Sequence, residues 1–88
     1  MHETEETRRK RLRFRSWHRG TRELDLVLGR FADRYIDSLT PEQLERYEAL
    51  IECPDPDIYR WISDGEATPP EHDNDVMEMI KTLKIKVE

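Results

Sequence analysis

The chain has 88 residues, 40% of them charged and 35% hydrophobic, with a net charge of −5. That length holds one small domain with a thin core, and a single cysteine, Cys53, excludes an internal disulfide framework. No apolar run approaches the length of a membrane span, and the acidic start of the chain is unlike a secretory signal or a mitochondrial transit peptide, so a cytosolic protein is expected.

Residues 1–7 are polar and expected to be flexible. A first helix is expected from about Thr7 to His18, rich in arginine, with Phe14 and Trp17 three apart on a shared face and Leu12 off it. Gly20 then breaks the pattern. The second helix, about Thr21 to Ser38, carries the best buried stripe: Leu24, Val27, Leu28, Phe31, Tyr35 and Leu39. Gly29 in mid-helix costs about 1 kcal/mol against alanine and marks a close helix crossing.

The third helix has the clearest start. Thr40 reads as N-cap, Pro41 as the first helical residue and Gln43 as the far side of a capping box. Leu44, Tyr47, Leu50 and Ile51 form its apolar face, and it ends near Cys53, ahead of Pro54. Asp55 is expected to cap a short fourth helix with Pro56 at its first position, Ile58, Trp61 and Ile62 inward, and Gly65 as its stop. An acidic loop with Pro69-Pro70 follows. A fifth helix is expected over about Asn74 to Leu83, with Val76, Met79, Ile80 and Leu83 as its stripe, and residues 84–88 as an extended tail. The expected fold is all-α: a compact single domain, 1–88, of about five short helices.

Charge is unevenly spread. Residues 8–22 hold Arg8, Arg9, Lys10, Arg11, Arg13, Arg15, Arg19 and Arg22 and no acid, whereas residues 23–80 hold sixteen acids and four bases. A basic arm on an acidic body steers encounter with a charged partner, or lies across the body itself. The three histidines and the lone cysteine give no metal-ligand spacing. Cys53, with no evident base nearby, reads as a small core residue, and His18 as a solvated neighbour of the turn. Glycines at 20, 29 and 65 form no phosphate cradle, and no serine has a base at suggestive spacing. An enzyme is not expected. A nucleic-acid contact confined to the arm, with Phe14 and Trp17 stacking on bases, stays open as an alternative, as does an antitoxin-like interaction module. A membrane-surface helix is disfavoured by its narrow apolar face.

At Arg19-Gly20-Thr21-Arg22-Glu23 two readings compete. Gly20 ends a helix, Thr21 caps the next and Glu23 complements its dipole. Alternatively, an arginine fork and a carboxylate beside a backbone gap grip a polar partner.

Three stretches carry a family resemblance: Leu12-Arg13-Phe14-Arg15, Arg19-Gly20-x-x-Glu23-Leu24-Asp25-Leu26 and Leu28-Gly29-Arg30-Phe31. Leu39-Thr40-Pro41-Glu42-Gln43, the Tyr47 to Ile51 face and Pro54-Asp55-x-x-Ile58-x-x-Trp61 continue it in order. Together, over about residues 9–65, they resemble the succinate dehydrogenase flavinylation factors, also called assembly factor 2, whose hallmark is Arg-Gly-x-x-Glu. His18 stands where members usually have arginine, and Thr21 where they have methionine. The resemblance implies a small helical chaperone that binds the flavoprotein subunit of succinate dehydrogenase, or of fumarate reductase, and promotes covalent attachment of FAD to a client histidine. Arg19, Gly20 and Glu23 would meet the client, with Arg15, His18, Arg22 and Asp25 around them. Apart from the resemblance, the helical periodicity without a ligand cluster points to a monomer that holds no cofactor or metal itself, the start unlike a transit peptide favours the bacterial cytoplasm, and the acidic body disfavours nucleic acid as a partner.

Overall fold

A computed structural model describes residues 3–87, with side chains described through residue 84. Among the described residues there are five α-helices, one 3-10 turn and no strand, so the fold is all-α. Contacts gather into two units, residues 1–39 and residues 40–88.

In the first unit, α1 (Glu5–Trp17) packs on α2 (Arg22–Tyr35). Thr4 caps α1, its hydroxyl accepting from the Thr7 amide at 3.1 Å, and Glu5 and Glu6 lie in the positive first turn. Helix therefore begins within the stretch expected to be flexible; Met1 and His2 lie outside the described residues. The buried face of α1 also differs from the expected one. Leu12 and Ser16 are fully buried, and Phe14 is 63% exposed. Residues four apart share a helix face, and Ser16 satisfies its own hydroxyl by donating to the Leu12 carbonyl at 2.7 Å, so a polar residue serves as a small packing residue.

Trp17 joins the two helices. Its ring lies against Gly29: a Cβ at position 29 would sit 2.2 Å from Trp17 Cδ2. The indole nitrogen donates to Asp33 Oδ1 at 3.1 Å, satisfying its one polar atom. On α2, Leu24, Leu28, Phe31 and Ala32 are buried as the stripe requires, while Val27 and Tyr35 are half-buried. The helix stops at Tyr35, three residues before the expected end, and Ile36 and Leu39 in the following turn complete the buried set. Two arginines of α1 hold that turn. Arg9 donates to the carbonyls of Ile36 and Leu39, and Arg13 pairs with Asp37 at 3.2 Å and Asp33 at 3.5 Å. Part of the basic arm thus neutralises acids of its own neighbouring helix.

In the second unit, α3 (Pro41–Ile51) packs against α4 (Asp55–Ile62), a 3-10 turn (Pro70–His72) and α5 (Asp75–Val87). The capping box forms as expected: the Gln43 amide N–H donates to Thr40 Oγ1 at 3.1 Å, and Gln43 Oε1 accepts from the Thr40 amide at 3.0 Å. The start of α4 differs by one residue. Pro54 is the N-cap, Asp55 and Pro56 follow as the first two helical residues, and no side chain caps the helix. The loop runs past Gly65, which has φ +71°, and Glu66 pairs with Arg60 at 3.0 Å.

On α5 it is Met77, with Val76, Ile80 and Leu83, that is buried, and Met79 is half-buried. The helix continues to Val87, so the extended tail expected over 84–88 is helical through residue 87, with Glu88 outside the described residues. The alternation of Lys84-Ile85-Lys86-Val87 has no strand to pair with, and nothing in it stops a helix. Asp75 ties α5 to α3: Gln43 donates to its carboxylate at 3.0 Å and Arg46 at 3.1 Å. The Gln43 hydrogen bond first, with the Arg46 charge also lowering it, holds the Asp75 carboxyl below its ordinary value.

Two predictions follow from this packing. Gly29→Ala gains helix propensity but drives a methyl into the body of the Trp17 ring; overpacking of this kind costs roughly 1–3 kcal/mol, so the melting temperature falls despite the better helix former. Tryptophan fluorescence melting reads it directly. For Asp75, a lowered folded pKa means its stabilisation is present above the unfolded value near 3.8 and is lost as pH falls through the lower folded value. The melting-temperature gap between wild type and Asp75→Asn is therefore constant from neutral pH down to about pH 5 and closes on further acidification.

Candidate functional site

The corner between α1 and α2 is built in four residues. His18 ends α1 with φ −127° and ψ 57°, its amide donating to the Arg15 carbonyl at 3.3 Å. Thr21 starts α2 as N-cap, its hydroxyl accepting from the Leu24 amide at 3.4 Å. Between them Gly20 adopts φ +101°, a region in which a Cβ is strained. Nothing lies within 4 Å of where that Cβ would be. The backbone is therefore bare on that side, and the turn itself calls for glycine.

Asp25 fixes the corner from inside. Its Oδ1 accepts from the Arg19 amide at 2.6 Å, bridging the turn to the first turn of α2. The carboxylate thereby also stands near the positive end of that helix. This contact holds the turn.

The remaining predicted residues all come to this corner. Arg15 and Arg19 are half-buried, and His18, Gly20, Arg22 and Glu23 are exposed. Arg15, Arg19 and Glu23 are each engaged within the chain. Glu23 stands in the first turn of α2.

His18 is exposed, as expected of a solvated neighbour of the turn, and it also packs locally. Its ring stacks on Phe14, with centroids 3.9 Å apart and planes 16° apart, and Nδ1 lies 2.7 Å from the Phe14 carbonyl. Reading Phe14 with Trp17 concealed this pair; the i,i+4 spacing of Phe14 and His18 was the signal that carried it.

A second cluster lies in the other unit. Cys53 Sγ is 3.2 Å from His72 Nε2, and the His72 ring stacks on Trp61 with centroids 5.5 Å apart. Cys53 is thus half-buried beside an imidazole, contrary to the isolated core thiol expected, because the 3-10 turn brings position 72 back to the end of α3. Among the described residues no group of three or more His, Cys, Asp or Glu is placed to hold a metal ion. No described helix is long and apolar enough to cross a membrane.

The fold is an all-α one with polar side chains gathered at a bare glycine turn. Residues 10–84 match the family described as flavinator of succinate dehydrogenase, and the chain belongs to that family. It is 41% identical over 83 residues to the mitochondrial succinate dehydrogenase assembly factor 2 of Meyerozyma guilliermondii, covering 90% of this chain and 62% of that protein. It is likewise 41% identical over 78 residues to assembly factor 2-A of Drosophila mojavensis (86% of this chain, 50% of that protein) and over 73 residues to assembly factor 2 of Dictyostelium discoideum (83% and 52%). The chain therefore spans about half to three fifths of the length of these relatives. The family is one of assembly factors and not of enzymes. These relatives are eukaryotic and are named mitochondrial, which overturns the bacterial cytoplasm expected from the acidic N-terminus.

Asp25→Ala removes a charged acceptor from the Arg19 amide, at a cost of about 1.5 kcal/mol. Its expected signature is local: the Arg19 amide exchanges hydrogen much faster in the variant, while amides in the middle of α2 change little.

Proposed function

We propose that the chain serves the assembly of succinate dehydrogenase by docking on the flavoprotein subunit, and that its Arg19–Glu23 corner is the docking face. The observation that carries this reading is Gly20: a positive φ with open space over the backbone, flanked by exposed Arg22 and Glu23. A client backbone can approach there as it cannot where a side chain stands. Charged groups held on two packed helices present a pre-set geometry to the client. The family description and the names of the relatives support the enzyme complex served.

In this reading the chain favours covalent attachment of FAD to a client histidine by binding, and the bond-forming chemistry belongs to the client and the flavin. The protein acts as a monomer and holds no cofactor itself. Fumarate reductase, whose flavoprotein subunit is related, is a second client in the same reading. A nucleic-acid role is less well supported: Trp17 packs on Gly29 and so is not available for base stacking, and Arg9 and Arg13 are engaged with α2 and the turn after it.

The test compares Glu23→Ala, Gly20→Ala and Gly20→Arg for thermal melting and for covalent flavin in the client. Glu23→Ala leaves one half of a charge pair unsatisfied in the complex; such truncations cost about 2–5 kcal/mol, so client binding weakens at least tenfold with melting almost unchanged. Both Gly20 variants carry the same backbone strain, about 1–2 kcal/mol. Only the arginine fills the gap, so Gly20→Arg loses flavin attachment well beyond Gly20→Ala. Equal flavin attachment in all three variants and wild type would sink the docking role.

A further inference from the structure

Cys53 follows the last turn of α3, and two groups meet its sulfur. Sγ donates to the Ala49 carbonyl at 3.7 Å and lies 3.2 Å from His72 Nε2. His72 is held against the sulfur from two sides. Its 3-10 turn begins behind Pro69, and its amide donates to the Pro69 carbonyl at 2.9 Å. Its ring stacks on Trp61 of α4. The second ring nitrogen, Nδ1, is buried and has no hydrogen-bond partner. An apolar ring could fill this place without leaving a buried polar atom unpaired, which costs free energy. An orphaned buried nitrogen calls for a reason beyond packing, and redox chemistry is one such reason.

The same burial assigns the tautomer. A buried N–H without an acceptor is rarer than a buried acceptor without a donor. The ring proton is therefore placed on Nε2, which donates to the sulfur, and Nδ1 keeps a lone pair. An N–H aimed at sulfur favours the thiolate, the form of cysteine that reacts. Stretches 47–59 and 66–73, which flank the two residues, hold acids and no lysine or arginine. Within them the imidazole is the group that supports the sulfur anion. Cys53 is half-buried and outside any disulfide, so a small reagent can reach it.

We propose that Cys53, activated by His72, is a modification site for oxidants of the hydroperoxide class. The thiolate sulfur attacks one peroxide oxygen. A sulfur–oxygen bond forms, the oxygen–oxygen bond breaks, and sulfur gives up two electrons. The departing oxygen takes up the proton that the thiol released, so hydrogen peroxide yields a sulfenic acid and water. These 88 residues contain no second cysteine, so the sulfenic acid finds no thiol partner within them. An external thiol reverses the modification. The added oxygen enters a 3.2 Å contact, and it therefore displaces the His72 ring and loosens the 3-10 turn from α3. The site lies outside the Arg19–Glu23 corner and does not rest on the docking reading.

The test treats the full chain with hydrogen peroxide at neutral pH and traps sulfenic acid with dimedone, counted by mass spectrometry. His72→Phe keeps a ring for Trp61 and removes the N–H, so labelling at Cys53 is expected to slow about tenfold. If His72 only packs, the variant leaves the sulfur as accessible or more so, and labelling stays equal or speeds up; either result overturns the proposal. A second comparison does not depend on the variant's folding. The folded wild type is expected to label faster than the same chain unfolded in urea, although its sulfur is less exposed. Labelling that is equal or slower in the folded chain overturns the activation of Cys53. Dithiothreitol added before the trap is expected to restore the free thiol, and a product that resists it overturns the reversible sulfenic acid.

Discussion

The N-terminal unit depends on the ring of Trp17 occupying the space that a side chain at position 29 would need. Two helices joined by only four residues have little freedom in how they meet. The indole fixes their separation, and its N–H, bonded to Asp33, fixes the rotation of the ring. With that contact in place, Leu12 and Ser16 face inward on α1 and Phe14 is turned out. The corner geometry at Gly20 and the orientation of the Phe14–His18 pair are both downstream of it.

What the sequence disclosed, and what it did not, follows from the range of each signal. The capping box at Thr40 was legible because every atom of it lies within four residues, and a local motif has few competing outcomes. The α2 stripe was legible because its apolar residues outnumber the polar ones on one face. Helix α1 was misread at its face because serine is counted as polar, whereas Ser16 is buried with its hydroxyl bonded to the Leu12 carbonyl of its own helix. The end of α5 was misread because four alternating residues fit either period. The pairing of Cys53 with His72 spans nineteen positions and depends on a 3-10 turn that leaves no periodic trace.

The corner at Arg19–Glu23 shows why one short motif supported two readings. Thr21 caps, Asp25 locks the turn, and Gly20 adopts a conformation that other residues resist. Those are structural duties, and they leave the outward side of the turn bare. The docking role proposed for Arg19–Glu23 would draw on the side of the turn that these duties leave open. The basic arm divides in the same way: Arg9 and Arg13 hold the turn after α2, and the cations nearer Gly20 flank the corner.

Gln43 carries a constraint of a different kind. A capping box accepts glutamate or glutamine at its third position with little to choose between them. Here the carboxamide faces two ways: its oxygen receives the Thr40 amide and its nitrogen donates to Asp75, thirty-two positions along the chain. A glutamate would close the box equally well and would then set one carboxylate against another. The choice between amide and acid at the third position of α3 is thus tied to the residue that begins α5.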